Sequence, residues 1–299
     1  MRRNISTAID EIACDTRAGA AEILRRAARV FSLLEQSVTN QDDHRQLVLE
    51  TCIALIHSQP SMAPLSNLAN AVAQAVSGET MNRAEEAARR FIENAERAVR
   101  DASLHAARLM KENSGVLTHS RSSTVMAAFR AALDEGRKFH VIATESRPLL
   151  EGRTLARELL NSGIAVTLIA DMAAALVIDE VDFVLVGADR ITPHHIVNKI
   201  GTRMIALAAA ERNVPVYAIA DSTKFIDFPA DREVARDVSE IWEDAPASVE
   251  IVNRYFEPVP TGLFTSIITE DGALGIEEAR RRAAAASLDP RLTELLEAR

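Results

Sequence analysis

The stretch GVLTHSRSSTVMAAFRAALDEGRKFHVIAT, residues 115–144, decides the fold. It holds a short β-type run (115–119), a helix-like segment (122–136) and a second apolar run (139–144). Toward the C-terminus the texture repeats in IAVTLIA (164–170), VDFVLVG (181–187), VPVYAIA (214–220) and FTSIIT (264–269), with helix-like stretches at 152–161 and 201–212. Apolar strands alternating with helices predict a parallel sheet covered on both faces. Right-handed crossovers then give an open, doubly wound, Rossmann-like α/β sheet. Toward the N-terminus the period changes. From residue 5 to about 112 the pattern is helical, clearest over 80–112, where Met81, Ala84, Ala88, Phe91, Ala95, Val99, Ala102, Ala106 and Leu109 recur every three or four residues. Earlier helices are expected at about 17–36, 42–58 and 63–76, with breaks at Gln59-Pro60 and Ser77-Gly78. The expected organisation is a helical domain over 1–112 and an α/β domain over 113–299.

The composition narrows the function classes. Of 299 residues, 47% are hydrophobic and 26% charged, the ordinary range for a soluble globular protein. The net charge is −9, from 34 Lys+Arg against 43 Asp+Glu, which argues against an extended nucleic-acid surface, though not against a local cationic pocket. Cys14 and Cys52 belong to no CxxC or ligand cluster and are expected to be buried, reduced thiols. The start, MRRNISTAIDEIACD, lacks an apolar core of the signal-peptide kind. The most apolar region, 164–188, is interrupted by Asp171, Asp179, Glu180 and Asp182, so no membrane span is expected and a cytoplasmic location is.

In a doubly wound sheet, ligands sit outside the carboxyl ends of the strands. The residues following each strand are His119 to Thr124, Glu145-Ser146-Arg147, Asp171, Asp189-Arg190, Asp221 to Lys224 and Glu270-Asp271. This clustering of polar groups points to an anionic, phosphorylated small molecule. Ser122-Ser123-Thr124 opens a helix directly after a strand, which suits either a phosphate or plain N-capping. In Asn198-Lys199-Ile200-Gly201-Thr202 a lysine stands beside a Gly-Thr pair at a helix start. Neither GxxxxGK[ST] nor GxGxxG is present, which disfavours a P-loop and a nicotinamide cofactor. His194-His195 lacks partners at ligand spacing, so no metal is expected. Asp189, just past a buried strand, suits a general acid of raised pKa, or else a loop brace.

These segments carry a resemblance. THSRSSTV (118–125), KFHVIATESRPLLEGRTLA (138–156), GADRITPHHIVNKIGTRMIALAA (187–209) and ADSTKF (220–225) resemble one superfamily. It comprises the regulatory subunits of translation initiation factor 2B, the archaeal ribose-1,5-bisphosphate isomerases and the methylthioribose-1-phosphate isomerases. The resemblance implies a helical domain followed by a Rossmann-like domain, dimers or higher homo-oligomers, no cofactor, and a sugar-phosphate ligand. In the isomerases it implies conversion of an aldose 1-phosphate to a ketose phosphate by a cysteine and an aspartate. The aspartate matches Asp189, and phosphate or sugar contacts carry over to Arg147, Asn198, Lys199 and, more weakly, Lys224, with Gly19 and Ala20 suggested in the helical half. Ser120 stands where the isomerases have cysteine, and Gln59 where they usually have arginine. Two readings follow: a sugar-phosphate isomerase-like enzyme using Ser120, or a non-catalytic regulatory subunit that binds without turnover.

Overall fold

The computed structural model describes residues 3–15, 18–35, 41–76, 83–228 and 235–297. The expected Ser77-Gly78 break, Met81 and the ends of the helix expected at 17–36 lie outside them. Five helices come first: α1 (Arg3–Ala13), α2 (Ala20–Glu35), α3 (Gln41–Ser58), α4 (Ala63–Ala75) and α5 (Arg83–Ala107). Of these, α1, α2 and α5 are amphipathic, and Ile5, Ile12, Ile23, Phe31, Ile53, Leu65 and Leu68 meet in one core. Pro60 interrupts the chain between α3 and α4, as a residue that cannot continue a helix should.

The second half alternates strand and helix: β1 (Ser114–Thr118), α6 (Ser123–Asp134), β2 (Phe139–Thr144), α7 (Glu151–Asn161), β3 (Ala165–Ile169) and β4 (Phe183–Gly187). Then come β5 (Arg190–Ile191), β6 (His195–Lys199), α8 (Thr202–Arg212), β7 (Val216–Ile219), β8 (Phe256–Pro260), β9 (Ser266–Thr269), β10 (Gly272–Leu274), α9 (Ile276–Ala284) and α10 (Pro290–Glu297). The main sheet has seven strands in the order β10-β9-β7-β4-β1-β2-β3, parallel except for β10. The chain runs outward from β1 through β2 to β3, then returns to β4 on the other side of β1. The order therefore reverses between β1 and β4, and the crevice at their carboxyl ends is the place where such sheets hold ligands.

Side-chain alternation along the strands splits the sheet's core in two. Leu117, Val184 and Val186 pack on one face with Ile205 and Ala209 of α8. Val116, Phe183 and Leu185 pack on the other with Phe129 of α6 and Leu155 of α7. Val184 and Leu185 are fully buried, worth about 1.5–3 kcal/mol each. Helix α5 joins the halves: Ala84, Ala88 and Ala95 enter the helical core, and Ala102, Ala106 and Ala107 enter the sheet core. Small side chains let one long helix press closely against both.

Three features depart from expectation. A second, antiparallel sheet of order β5-β6-β8, not read from the sequence, puts Asn198-Lys199 on a strand, while Gly201-Thr202 opens α8 as expected. Edge strand β3 is only half covered, and Leu160, Leu168, Met172 and Leu176 on or beside it are 42–80% exposed. Cys14, expected to be buried, is exposed in the turn that ends α1, whereas Cys52 is buried and its thiol pushed up by desolvation. No helix among the described residues is long and apolar enough to cross a membrane.

Candidate active site

Strands β1 and β4 are hydrogen-bonded neighbours, in register at Val116 with Phe183 and Leu117 with Val184. The chain leaving their carboxyl ends carries Ser120 from one and Asp189 from the other, at the switch point of the sheet. The helical half closes over this crevice: the Ala63 amide that opens α4 donates to the Asp189 carbonyl at 3.1 Å. Two cavities of about 420 and 630 Å³ result. Gly19, Ala20, Ser120, Arg121 and Asp189 line both. The serine and the aspartate therefore stand where the two spaces meet.

The smaller cavity faces the start of α6. The Ser122 hydroxyl accepts from the Val125 amide at 3.3 Å, so it is the N-cap, and Ser123 and Thr124 line the cavity beside it. One serine caps the helix, and the first turn lines the cavity. Lys224 also lines this cavity, only 8% exposed, and no carboxylate among the described residues pairs with its ammonium. Asn198 also lines this cavity, held by its Nδ2 donating to Thr202 Oγ1 at 2.9 Å. The first turn of α6 and a buried lysine thus line the same cavity.

The larger cavity has a different floor. Lys199 lies within it, 5% exposed at the side chain, with Nζ 2.6 Å from Glu151 Oε1. Its ammonium also sits over the rings of Tyr255 and Phe256, at 4.9 and 5.2 Å from their centroids. Gln59 lines this cavity too, but its Nε2 donates to the carbonyls of Ile12 and Asp15 at 2.9 and 3.1 Å. The Ser120 hydroxyl donates to the same Glu151 Oε1 at 3.0 Å, and the Ser120 amide donates to Ser146 Oγ at 2.8 Å.

His119, next to the serine, also lines the smaller cavity, but both its ring nitrogens are engaged. Its Nε2 lies 2.7 Å from the Ile200 carbonyl and its Nδ1 2.6 Å from Thr144 Oγ1. A carbonyl can only accept, so Nε2 carries the proton and Thr144 donates to Nδ1. Burial pushes the imidazole below its usual range, outweighing the hydrogen bond and nearby carboxylates that act the other way. Gly201, at φ +104°, passes so close that a Cβ there would stand 3.1 Å from Nε2.

Of the residues singled out from sequence, the fold gathers Ser120, Asp189, Gly19 and Ala20 at the shared wall, Asn198 and Lys224 in the smaller cavity and Lys199 in the larger. Arg147 is not among them. Its side chain is exposed and lines neither cavity, while its amide donates to Asp171 Oδ2 at 2.7 Å. Asp171 thereby braces the loop after β2. His194 and His195 are both exposed. Sequence reasoning missed Glu151, and placed Arg121 only within the run that follows β1. Glu151 had one legible signal, an acidic residue in the first turn of the helix that follows β2.

Comparison with known proteins identifies the family. The chain is 35% identical over 274 residues to the ribose 1,5-bisphosphate isomerase of Archaeoglobus fulgidus, covering 87% of this chain and 86% of that one. It is 40% identical over 191 residues to the methylthioribose-1-phosphate isomerase of Syntrophotalea carbinolica, covering 57% and 56%. The solved Pyrococcus horikoshii translation initiation factor eIF-2B superposes with a TM-score of 0.82 at 30% identity, covering 92% of this chain and 98% of that one. Residues 16–275 match the model of the initiation factor 2 subunit family, to which this isomerase-like, initiation-factor-like chain belongs.

Proposed function

We propose that the chain binds a phosphorylated sugar across the two cavities and isomerises it from an aldose 1-phosphate to a ketose phosphate. The carrying observation is that Ser120 and Asp189 line both cavities, while each cavity holds its own buried lysine. A sugar spanning the junction places its reacting carbons between serine and aspartate. Its anionic groups fall toward Lys224 and the α6 N-terminus on one side and Lys199 on the other. Asp189 protonates the ring oxygen as the bond from C1 breaks, and later removes the C2 hydroxyl proton as the ketone forms. Hydrogen moves from C2 to C1 on the Ser120 side. No group beyond the protein's own side chains is needed.

Binding without turnover is the second reading, favoured by a serine hydroxyl where a thiol would be the better acid or base. We further take 1–112 and 113–299 as the two domains, place the protein in the cytoplasm, and assign a homodimer to the apolar margin of β3.

One experiment separates the readings. Thermal shift against ribose 1,5-bisphosphate, methylthioribose 1-phosphate and ribose 5-phosphate is followed by NMR for turnover. Ligand at 100 times its dissociation constant adds about 2.7 kcal/mol. Stabilisation with turnover, lost in Asp189→Asn while stabilisation persists, supports the isomerase. Stabilisation alone supports the regulatory reading, and no response to any phosphate removes both.

A further inference from the structure

Ser120 needs a partner. A serine hydroxyl releases its proton far less readily than the cysteine thiol of the resembling isomerases, so moving a proton through it requires a base within hydrogen-bond reach. His119 is excluded, because both its ring nitrogens are occupied, by Thr144 Oγ1 and the Ile200 carbonyl. Ser146 is excluded as a base, since it is itself a hydroxyl that accepts the Ser120 amide.

Glu151 meets the requirement. Its Oε1 accepts from Ser120 Oγ at 3.0 Å and pairs with Lys199 Nζ at 2.6 Å. Its Oε2 is buried without a hydrogen-bond partner, although the side chain lies on the wall of the larger cavity. The chain is shaped to put it there. Ser120, Ser146 and Leu150 all have positive φ, of 67°, 62° and 58°, a conformation that non-glycine residues seldom adopt. Helix α7 then starts so close to β2 that a Cβ at Gly152 would lie 1.8 Å from the Thr144 carbonyl oxygen. Only glycine permits that approach, and the approach carries the preceding carboxylate to the serine.

We propose that Glu151 is the proton-holding partner of Ser120, a positioning residue that acts through the hydroxyl; this rests on the isomerase reading above and deepens it. As the C2–H bond breaks, its proton passes to Ser120 Oγ while the hydroxyl proton moves onto Glu151. The C–H electron pair forms a C1=C2 double bond as the bond from C1 to the ring oxygen breaks, and that oxygen takes a proton from Asp189. On the return, Asp189 removes the C2 hydroxyl proton, the carbonyl forms, and C1 takes a proton from Ser120, which is refilled from Glu151. Both pairs end as they began, and no external oxidant or reductant enters.

The test is a comparison of Glu151→Gln in two backgrounds, the serine protein and Ser120→Cys, with ribose 1,5-bisphosphate and methylthioribose 1-phosphate as substrates. In the serine protein, Glu151→Gln is expected to lower kcat about 10²- to 10⁴-fold with KM changed far less. In Ser120→Cys, whose thiolate needs no carboxylate, the same change is expected to cost less than about tenfold. Glu151→Asp keeps the charge facing Lys199 but withdraws it by one methylene, so it serves if the glutamine variant folds poorly; it too should lose kcat in the serine background alone. Equal losses in both backgrounds, or a loss confined to KM, would mean a merely structural carboxylate and overturn the proposal. Turnover by the unaltered chain that survives Glu151→Gln overturns the relay and leaves the isomerase standing. Absence of any turnover by the unaltered chain removes both.

Discussion

Asn198 and Lys199, neighbours on β6, are delivered into different cavities: Asn198 lines the one that holds Lys224, and Lys199 lines the one that holds Glu151. Strand alternation alone does this, since successive side chains point to opposite faces. The two buried lysines should therefore behave differently when removed.

Lys224 is available to a ligand, so Lys224→Met should act on binding. A charge-assisted hydrogen bond contributes about 1.5–3 kcal/mol, so affinity for a sugar phosphate should fall between about 10- and 150-fold. Titration calorimetry with ribose 5-phosphate, alongside a thermal melt, checks this. Unchanged affinity would remove Lys224 from the anion site.

Lys199 already has a partner, so Lys199→Met should act on stability. It leaves the half-buried Glu151 without its counter-charge, a loss of about 1–3 kcal/mol. Adding Glu151→Gln should restore much of it, because the orphaned charge is gone. Urea denaturation of the single and double variants measures the coupling, and additive losses would contradict it.

The buried imidazole of His119 predicts a pH dependence of folding. Its folded pKa lies below the ordinary 6.5, with desolvation as the main cause. The unfolded chain therefore takes up a proton from about pH 6.5 downward while the folded chain does not. Stability is fully present above that value and declines as pH falls toward the lowered folded pKa, by up to about 1.4 kcal/mol per pH unit. Urea midpoints between pH 7.5 and 5.5 should show a shallower slope in His119→Gln than in the unaltered chain; identical slopes would contradict the assignment.

Gly152 faces backbone rather than a flexible side chain, so it cannot accept even a methyl group without a main-chain shift. Gly152→Ala should destabilise by about 1–3 kcal/mol or more and, by displacing α7, reduce turnover along with it. A stable, fully active Gly152→Ala protein would show that the junction of β2 and α7 tolerates more movement than its contacts imply.

The edge at β3 should mediate self-association. Met172 and Leu176 are 79% and 80% exposed, beside a strand that is at the sheet's edge among the described residues, an arrangement that monomers avoid. Met172→Glu with Leu176→Glu is expected to convert a dimer to a monomer in light scattering after gel filtration. An unchanged mass would place the interface elsewhere.

Much of the architecture was legible because periodicity is a local property. The runs at 139–144 and 181–187 correspond to β2 (Phe139–Thr144) and β4 (Phe183–Gly187), and the alanine ladder through Ala106 became α5. Strand β6 was not legible: its partners are a two-residue strand and β8, some sixty residues away, and short polar-ended runs have no period to detect. The apolar run 164–170 reads like any buried strand, yet β3 lies at an edge, since hydropathy records what a strand can bury rather than what covers it.

By itself, then, the sequence determined the two textures, the parallel sheet and the polar groups at its strand ends, all consequences of residue spacing within single elements. Tertiary structure alone decided which of those groups meet. Ser120 and Glu151 lie 31 residues apart in the chain and 3.0 Å apart in space, whereas Arg147, singled out in sequence where Glu151 was not, lines neither cavity. Contacts between distant segments depend on strand order, on a glycine narrow enough to let a helix approach and on which face a side chain takes, and none of these is a property of one segment.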